Sequence, residues 1–186
     1  MAVIAVSCSR DPEVQAARAL LKRLAPAQAS QISFIRTADS TQVFTVSAED
    51  GRVTIAAPDA NTMAVGLNYY LKNWCEATVS WYAADQLDLP AVLPLPQEPV
   101  RIEARVPERF FLNYCTFGYS LVWWQWKDWE RLIDWMALNG VNRPLAITGQ
   151  EAVWQKVWRA LGMSDEQIRA YFTAPPFLPW QRMMNI

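Results

Sequence analysis

Apolar side chains recur along this chain in two different rhythms, and the change between them falls near residue 107. Over residues 13–24, Val14, Ala17, Leu20, Leu21 and Leu24 keep the spacing of one helix face, with Pro12 suited to an early helical position and Pro26 just past the end. Residues 30–35 alternate weakly, as a half-buried strand does. Two β-rich runs, 42–47 and 52–56, are joined by Ala48-Glu-Asp-Gly51, which predicts a hairpin. A second helix is predicted over 62–74, with Met63, Leu67, Tyr70, Leu71 and Trp74 on one side and Asn61 as its N-cap. A short strand over 79–82 completes what reads as a small α+β layer domain, residues 1–89.

Pro90, Pro94, Pro96 and Pro99 then put four residues without an amide donor into a span of ten. Regular elements tolerate few of them, so 90–107 is expected to be an extended linker ending at Pro107. Beyond it strands and helices alternate. Residues 109–114 read as a strand, and 125–138 as a helix whose Trp126, Trp129, Ile133 and Met136 face one way, closed by Asn139-Gly140. A second strand is expected over 141–147 despite Pro144. Thr148-Gly-Gln-Glu151 opens a helix to Leu161 that Gly162 stops, and Ser164 with Gln167 forms a capping box for a helix reaching Phe172. Strand, helix, strand, helix with short loops is the pattern of a parallel sheet. Two strands do not complete one, and a (β/α)8 barrel needs roughly 250 residues. The chain is therefore expected to be a fragment, cut inside its second domain, residues 108–186.

Composition narrows the function. Hydrophobic residues make up 52% and charged residues 19%, the balance of a packed globular chain. Seventeen basic against eighteen acidic side chains leave a net charge of -1, so no field here would hold a nucleic acid. There is no histidine, which removes Ser-His-Asp and Cys-His nucleophile systems and His-ligated metals. Acid–base chemistry must rest on carboxylates, Tyr, Lys or Cys. Cys8, Cys75 and Cys115 are too few and too scattered for a zinc site or a disulfide framework, though one pair could form. No apolar run approaches the roughly 18 residues of a membrane span. Met1-Ala-Val-Ile-Ala-Val6 lacks the basic start and the length of a signal peptide, so either the chain is not exported or its true start is missing.

Eight of the ten tryptophans lie between Phe110 and Trp180, five of them between Trp123 and Trp135. Flat aromatic faces stack on the apolar C–H faces of sugar rings, so this density points to carbohydrate. Helical Trp spacing also fills cores, and for most of these residues packing is the plainer account.

Three stretches carry a family resemblance: Asn113-Tyr-Cys-Thr-x-x-Tyr-Ser-x-Val-Trp-Trp124, Trp129-Glu-Arg-x-Ile-Asp-Trp-Met-Ala-Leu-Asn-Gly140, and Gly149-Gln-Glu-Ala-x-Trp154 leading to Phe177-Leu-Pro-Trp180. Together they closely resemble the start of the catalytic barrel of the α-N-acetylglucosaminidases, glycoside hydrolase family 89. Residues 105–186 carry this strongly, and 13–100 are similar, with weaker motifs, to that family's small N-terminal domain. The resemblance implies an α/β chain: a small N-terminal α+β domain followed by the first βα units of a truncated (β/α)8 barrel. It further implies a retaining exo-hydrolase that removes terminal α-linked N-acetylglucosamine from glycans, using two glutamates that lie downstream in the family. No residue of this chain is then catalytic, and no metal or organic cofactor is implied.

By the same similarity Asn113 and Cys115 face the N-acetylglucosamine, and Trp180 lines its pocket. Each also has a plainer role, as a strand-end cap, an inert thiol or a packed ring. Glu151 is a candidate ligand, and equally an acid complementing a helix start. By position alone Trp123 or Trp124 is a candidate for a pocket rim, while Trp126, Trp129 and Trp135 are expected to pack. Arg143-Pro144 and Pro179 depart from the family's usual residues and leave the course of the second strand open. Family members are commonly secreted, periplasmic or lysosomal. Two other classes stay in view: a non-catalytic carbohydrate-binding module and a Trp-rich interaction domain. The strand–helix alternation weighs against the first, which is usually an all-β sandwich.

Overall fold

The computed structural model describes residues 11–83, 87–147 and 149–172. They fall into two units. The first holds the described residues up to Arg109 together with Glu130–Asn142, and the second holds Phe110–Trp129 and the described residues from Arg143 onward.

The first unit opens on helix α1 (Pro12–Leu24), capped by the Asp11 carboxylate, which accepts the Glu13 N–H at 2.9 Å. Proline at the first position forfeits only an amide that has no intrahelical partner anyway. Strands β1 (Ile32–Arg36), β2 (Val43–Glu49) and β3 (Arg52–Ala57), helix α2 (Ala60–Trp74) and strand β4 (Val100–Glu103) follow. The sheet runs β1-β3-β2-β4, with β1 parallel to β3 and the other pairs antiparallel. The hairpin is tighter than the four linking residues suggest. Glu49 pairs with Arg52, and Asp50 and Gly51 both take positive φ, 49° and 71°, the two-residue turn that matches strand twist.

Register shows which side chains share a face. Ile32 and Phe34 of β1 lie beside Val53 and Ile55 of β3, Val46 lies beside Ile55, and Ile102 beside Phe44. This face meets α2, and the approach is close because Gly66 has no side chain: a Cβ there would stand 2.8 Å from Ile55 Cγ2. On the opposite face Thr54 and Val43 are buried, while Ser33, Thr45, Ser47 and Ala56 are only partly covered.

Three local expectations are corrected in this unit. The cap of α2 is Asp59, whose carboxylate accepts the Thr62 N–H at 2.7 Å; Asn61 already lies inside the helix. Residues 79–82 form no strand, because the Ser80 hydroxyl accepts the Tyr82 N–H at 3.1 Å and bends the chain. The proline-rich stretch is extended but docked. Gln31 holds it at both ends of its amide, donating to Ala91 O at 2.8 Å and accepting from Leu93 N at 2.9 Å. Tyr70 donates its hydroxyl to Pro94 O at 2.7 Å, and Leu93 is buried in the core. Past the last of these prolines the chain joins the sheet as β4, a strand the hydrophobic pattern did not announce.

The second unit holds strand β5 (Phe110–Phe111), 3-10 turns at Thr116–Gly118 and Ser120–Trp123, strand β6 (Arg143–Pro144), and helices α4 (Gln150–Ala160) and α5 (Asp165–Tyr171). Helix α3 (Trp126–Leu138) begins here and belongs to the first unit from Glu130 onward. Its buried positions are Leu132, Asp134, Met136 and Leu138, whereas Trp126 and Ile133 are exposed. Of the face expected to pack, Met136 is buried and Trp129 partly so, while Trp126 and Ile133 are not; Trp135 packs edge-on against Trp81. The capping box of α5 is present in full: Ser164 Oγ accepts from Gln167 N, and Gln167 Oε1 from Ser164 N. The chain is mixed α/β. Among the described residues no helix is long and apolar enough to cross a membrane.

Candidate functional site

Strands β5 and β6 pair in parallel, Phe110 beside Arg143 and Phe111 beside Pro144. Both are far shorter than the six or seven residues the pattern suggested, and for β5 the cause is visible. Leu145 N–H donates to Phe111 O at 3.0 Å. Successive amides along a strand point to opposite edges, so the position of Pro144 faces away from β5 and its missing N–H costs this pair nothing. Leu112 ends β5, because its φ of 74° lies in the left-handed region that bulky side chains rarely adopt.

That strained residue turns the chain into the next feature. The Asn113 side-chain oxygen accepts three bonds: from Cys115 N at 3.0 Å, Thr116 N at 3.1 Å and Thr116 Oγ1 at 3.0 Å. An Asx turn of this kind offsets a φ penalty of about 1–3 kcal/mol. It also fixes what Asn113 offers outward, since its carbonyl is committed and its Nδ2 amide is the remaining side of the group. Asn113 is exposed, and Cys115 is partly buried.

After β6 the chain reaches Gly149 at φ 94° and enters α4, with partly buried Glu151 in its first turn and no side-chain cap before it. An acid there complements the helix dipole. In a parallel pair both chains leave at the same end, so the Asn113–Cys115 turn and the Glu151 helix start issue from the C-terminal ends of neighbouring strands. Thr148 and Trp180 lie outside the described residues. Among the described residues there is no group of three or more carboxylate or thiol side chains placed to hold a metal.

The tryptophans divide by environment. Trp129 stacks on Phe117 at 6.0 Å and meets Trp124 edge-on at 5.2 Å, forming a small cluster with buried Leu121 nearby in sequence. Trp123, immediately before, is 72% exposed, and Trp126 is 68% exposed. Trp154 and Trp158 pack with Phe172, at 6.3 and 5.1 Å, and Trp158 with Tyr171 at 4.5 Å. Sequence reasoning passed over Tyr114 and Tyr119, which stand exposed on the loop that carries Asn113. The signal was their place in the first quoted motif, between a strand and a helix.

Comparison with known proteins bears on the whole chain. The N-terminal domain of alpha-N-acetylglucosaminidase matches as a family model over residues 15–95, and the tim-barrel domain of alpha-N-acetylglucosaminidase over residues 109–186. Human alpha-N-acetylglucosaminidase is 43% identical over 183 residues, 94% of this chain and 24% of the human protein. A family 89 glycoside hydrolase from Clostridium perfringens, solved with 2-acetamido-1,2-dideoxynojirmycin, superimposes with a TM-score of 0.82 at 32% identity, covering 90% of this chain and 20% of that one. A form of the Clostridium perfringens protein with two glutamates replaced by glutamine, in complex with its substrate GlcNAc-alpha-1,4-galactose, gives 0.83 at 31%, covering 90% and 19%. The chain thus spans about a quarter or less of the length of these relatives.

Proposed function

The chain belongs to the alpha-N-acetylglucosaminidase family, glycoside hydrolase family 89, and from that premise we propose an activity for the protein it forms part of. That protein removes terminal α-linked N-acetylglucosamine from glycans, with retention of configuration. The observation that carries the reading is the 43% identity to the human enzyme across nearly the whole chain, joined by a fold match to relatives solved with an amino-sugar analogue and with a substrate.

In this reading residues 1–89 are the small domain, 90–107 the connection, and 108–186 the first part of a (β/α)8 barrel that later strands complete. Support comes from the parallel β5–β6 pair, from a helix after each strand, and from family models of which one ends at residue 95 and the next begins at residue 109. Retention needs two carboxyl groups about 5–5.5 Å apart, one as nucleophile and one as acid and base. Both come from chain beyond this segment, so nothing here breaks the bond.

What these residues supply is one wall of the pocket, built where strand ends of a barrel meet substrate. Asn113 donates from Nδ2 to a sugar hydroxyl or to the acetamido carbonyl, its oxygen being held in the turn. Cys115 sits beside it as a compact group that admits the ring, Glu151 accepts from a hydroxyl, and Trp180 stacks on the sugar face.

A chromogenic α-N-acetylglucosaminide tests the proposal. The complete protein is expected to turn it over, releasing the α-anomer first by NMR, while the 186-residue chain gives no turnover. A complete protein inert on α-linked N-acetylglucosamine would overturn the assignment. Turnover by the short chain that is lost in Glu151→Gln would overturn the placement of the catalytic groups.

A further inference from the structure

A helix end leaves carbonyls without intrahelical partners, and every one of them must be met when the end is buried. The C-terminus of α3 meets most of its own. Asn139 N–H bonds Trp135 O at 3.0 Å, Gly140 N–H bonds Ala137 O at 3.1 Å, and Val141 N–H returns to Met136 O at 2.9 Å. With Gly140 at φ 74°, this is the αL-terminated Schellman arrangement. Gly140 O accepts from Arg109 Nε, and Leu138 O and Val141 O find partners farther off, on a segment where Leu138 is fully buried.

Both are met from α2. Asn68 Nδ2 donates to Leu138 O at 2.8 Å, and Asn61 Nδ2 to Val141 O at 3.2 Å. These two amides are seven residues apart, two turns of helix, and so lie on one face with Val65 between them. Val65 closes the contact: a Cβ on Gly140 would meet its Cγ2 at 3.1 Å. Asn68 is buried, and a buried amide is costly unless its polar atoms are used. At the other end, Arg23 at the close of α1 grips Asp134 in two bonds, Nε to Oδ2 at 2.8 Å and Nη2 to Oδ1 at 2.6 Å. The planar guanidinium suits such a two-point grip.

We propose that Asn61, Val65 and Asn68 form a receptor for the end of α3, and that the N-terminal unit folds and holds this helix as one of its own members. The matched N-terminal domain, residues 15–95, is then incomplete without Glu130–Asn142, which lies beyond it in the chain. The small domain is a platform for the first helix of the next domain, whatever reaction the whole protein performs.

Hydrogen–deuterium exchange on the 186-residue chain tests this without any assay of activity. Amides of residues 130–138 are expected to exchange as slowly as those of 60–74, and more slowly than those of 150–160. Asn68→Ala should speed exchange at 130–138 by about tenfold or more while leaving 150–160 unchanged. Should that variant unfold altogether, the unmodified chain still decides, as does the milder Asn61→Ala. Exchange at 130–138 that keeps pace with 150–160, or that ignores both substitutions, overturns the proposal.

Discussion

Replacing Gly66 by alanine sets two known effects against each other. Gly66 lies inside α2, and an added Cβ would stand 2.8 Å from Ile55 Cγ2 and 3.3 Å from both Cβ and Cδ2 of Phe44. In favour of the substitution, alanine is better than glycine in a helix interior by about 0.8–1 kcal/mol. Against it, a contact under 3 Å must be relieved, and the neighbours have little room. Ile55 is fully buried on a central strand, its Cγ2 branches directly from Cβ, and it can move only by leaving its rotamer or shifting the backbone. Overpacking of this kind costs about 1–3 kcal/mol. The difference is a net loss of roughly 1 kcal/mol, within a span from near zero to about 2. Urea unfolding of the chain followed by far-UV circular dichroism reads it: with a slope of about 2 kcal/mol per molar, the midpoint for the first unit should fall by roughly 0.5 M. Gly66→Val should fall further. A midpoint that rises in Gly66→Ala would refute the reasoning, because the sheet would then be yielding and α2 would not sit at closest approach.

Other outcomes follow from the same geometry. Ser164→Ala removes one half of the capping box and should destabilise α5 by about 1 kcal/mol, seen as faster amide exchange confined to 165–171. The Arg159 guanidinium, hydrogen-bonded to Asp165, holds that carboxyl below the usual range, with burial opposing. A depressed folded pKa means the contribution is whole above the unfolded value, about 3.9, and is lost as pH falls through the lower folded one. Fraying of α5 below that point in the unmodified chain, absent or shifted upward in Arg159→Gln, is the expected NMR result; identical titrations would count against it. Burial pushes the Cys75 thiol up, despite a hydrogen bond with Tyr70. Its alkylation at pH 8 should lag behind that of an unfolded control, and equal rates would contradict the packing. Val153 and Val157 on α4 and Leu161 at its C-cap are exposed at a spacing of four, an uncovered apolar stripe. The 186-residue chain should self-associate in sedimentation, and Val157→Lys with Leu161→Lys should reduce it; a monodisperse unmodified chain argues otherwise.

What could be read in the sequence was what the chain decides locally. The Pro12 start, the Asp50-Gly51 turn, the Gly140 stop and the Ser164–Gln167 box each involve residues within a few positions of one another, and each forms. What escaped depends on distant partners. β4 exists because β2 offers an edge at Val43–Val46, more than fifty residues earlier. The buried face of α3 is set in part by Arg23 and Asn68, 111 and 70 residues away from their partners, so its own periodicity placed Met136 inside but also Trp126 and Ile133, which are exposed. The length of the strand at Phe110 also eluded the pattern, since a single left-handed Leu112 truncates a run whose side chains do not announce it. In the candidate site, the motif named Asn113, but which of its atoms is already committed depended on the turn it makes with Cys115 and Thr116.

The proline-rich stretch has a practical meaning for anyone who wants to cut or splice this polypeptide. Sewn down by Gln31 and Tyr70, with Leu93 pressed into the core, it would resist a protease that treats prolines as the sign of a loose tether. A cleavage site or fluorescent fusion grafted there would pull Leu93 from the core of the first unit. The exposed bend at Leu161-Gly162, where α4 gives way to α5 and a Cβ would meet nothing, is the better seam.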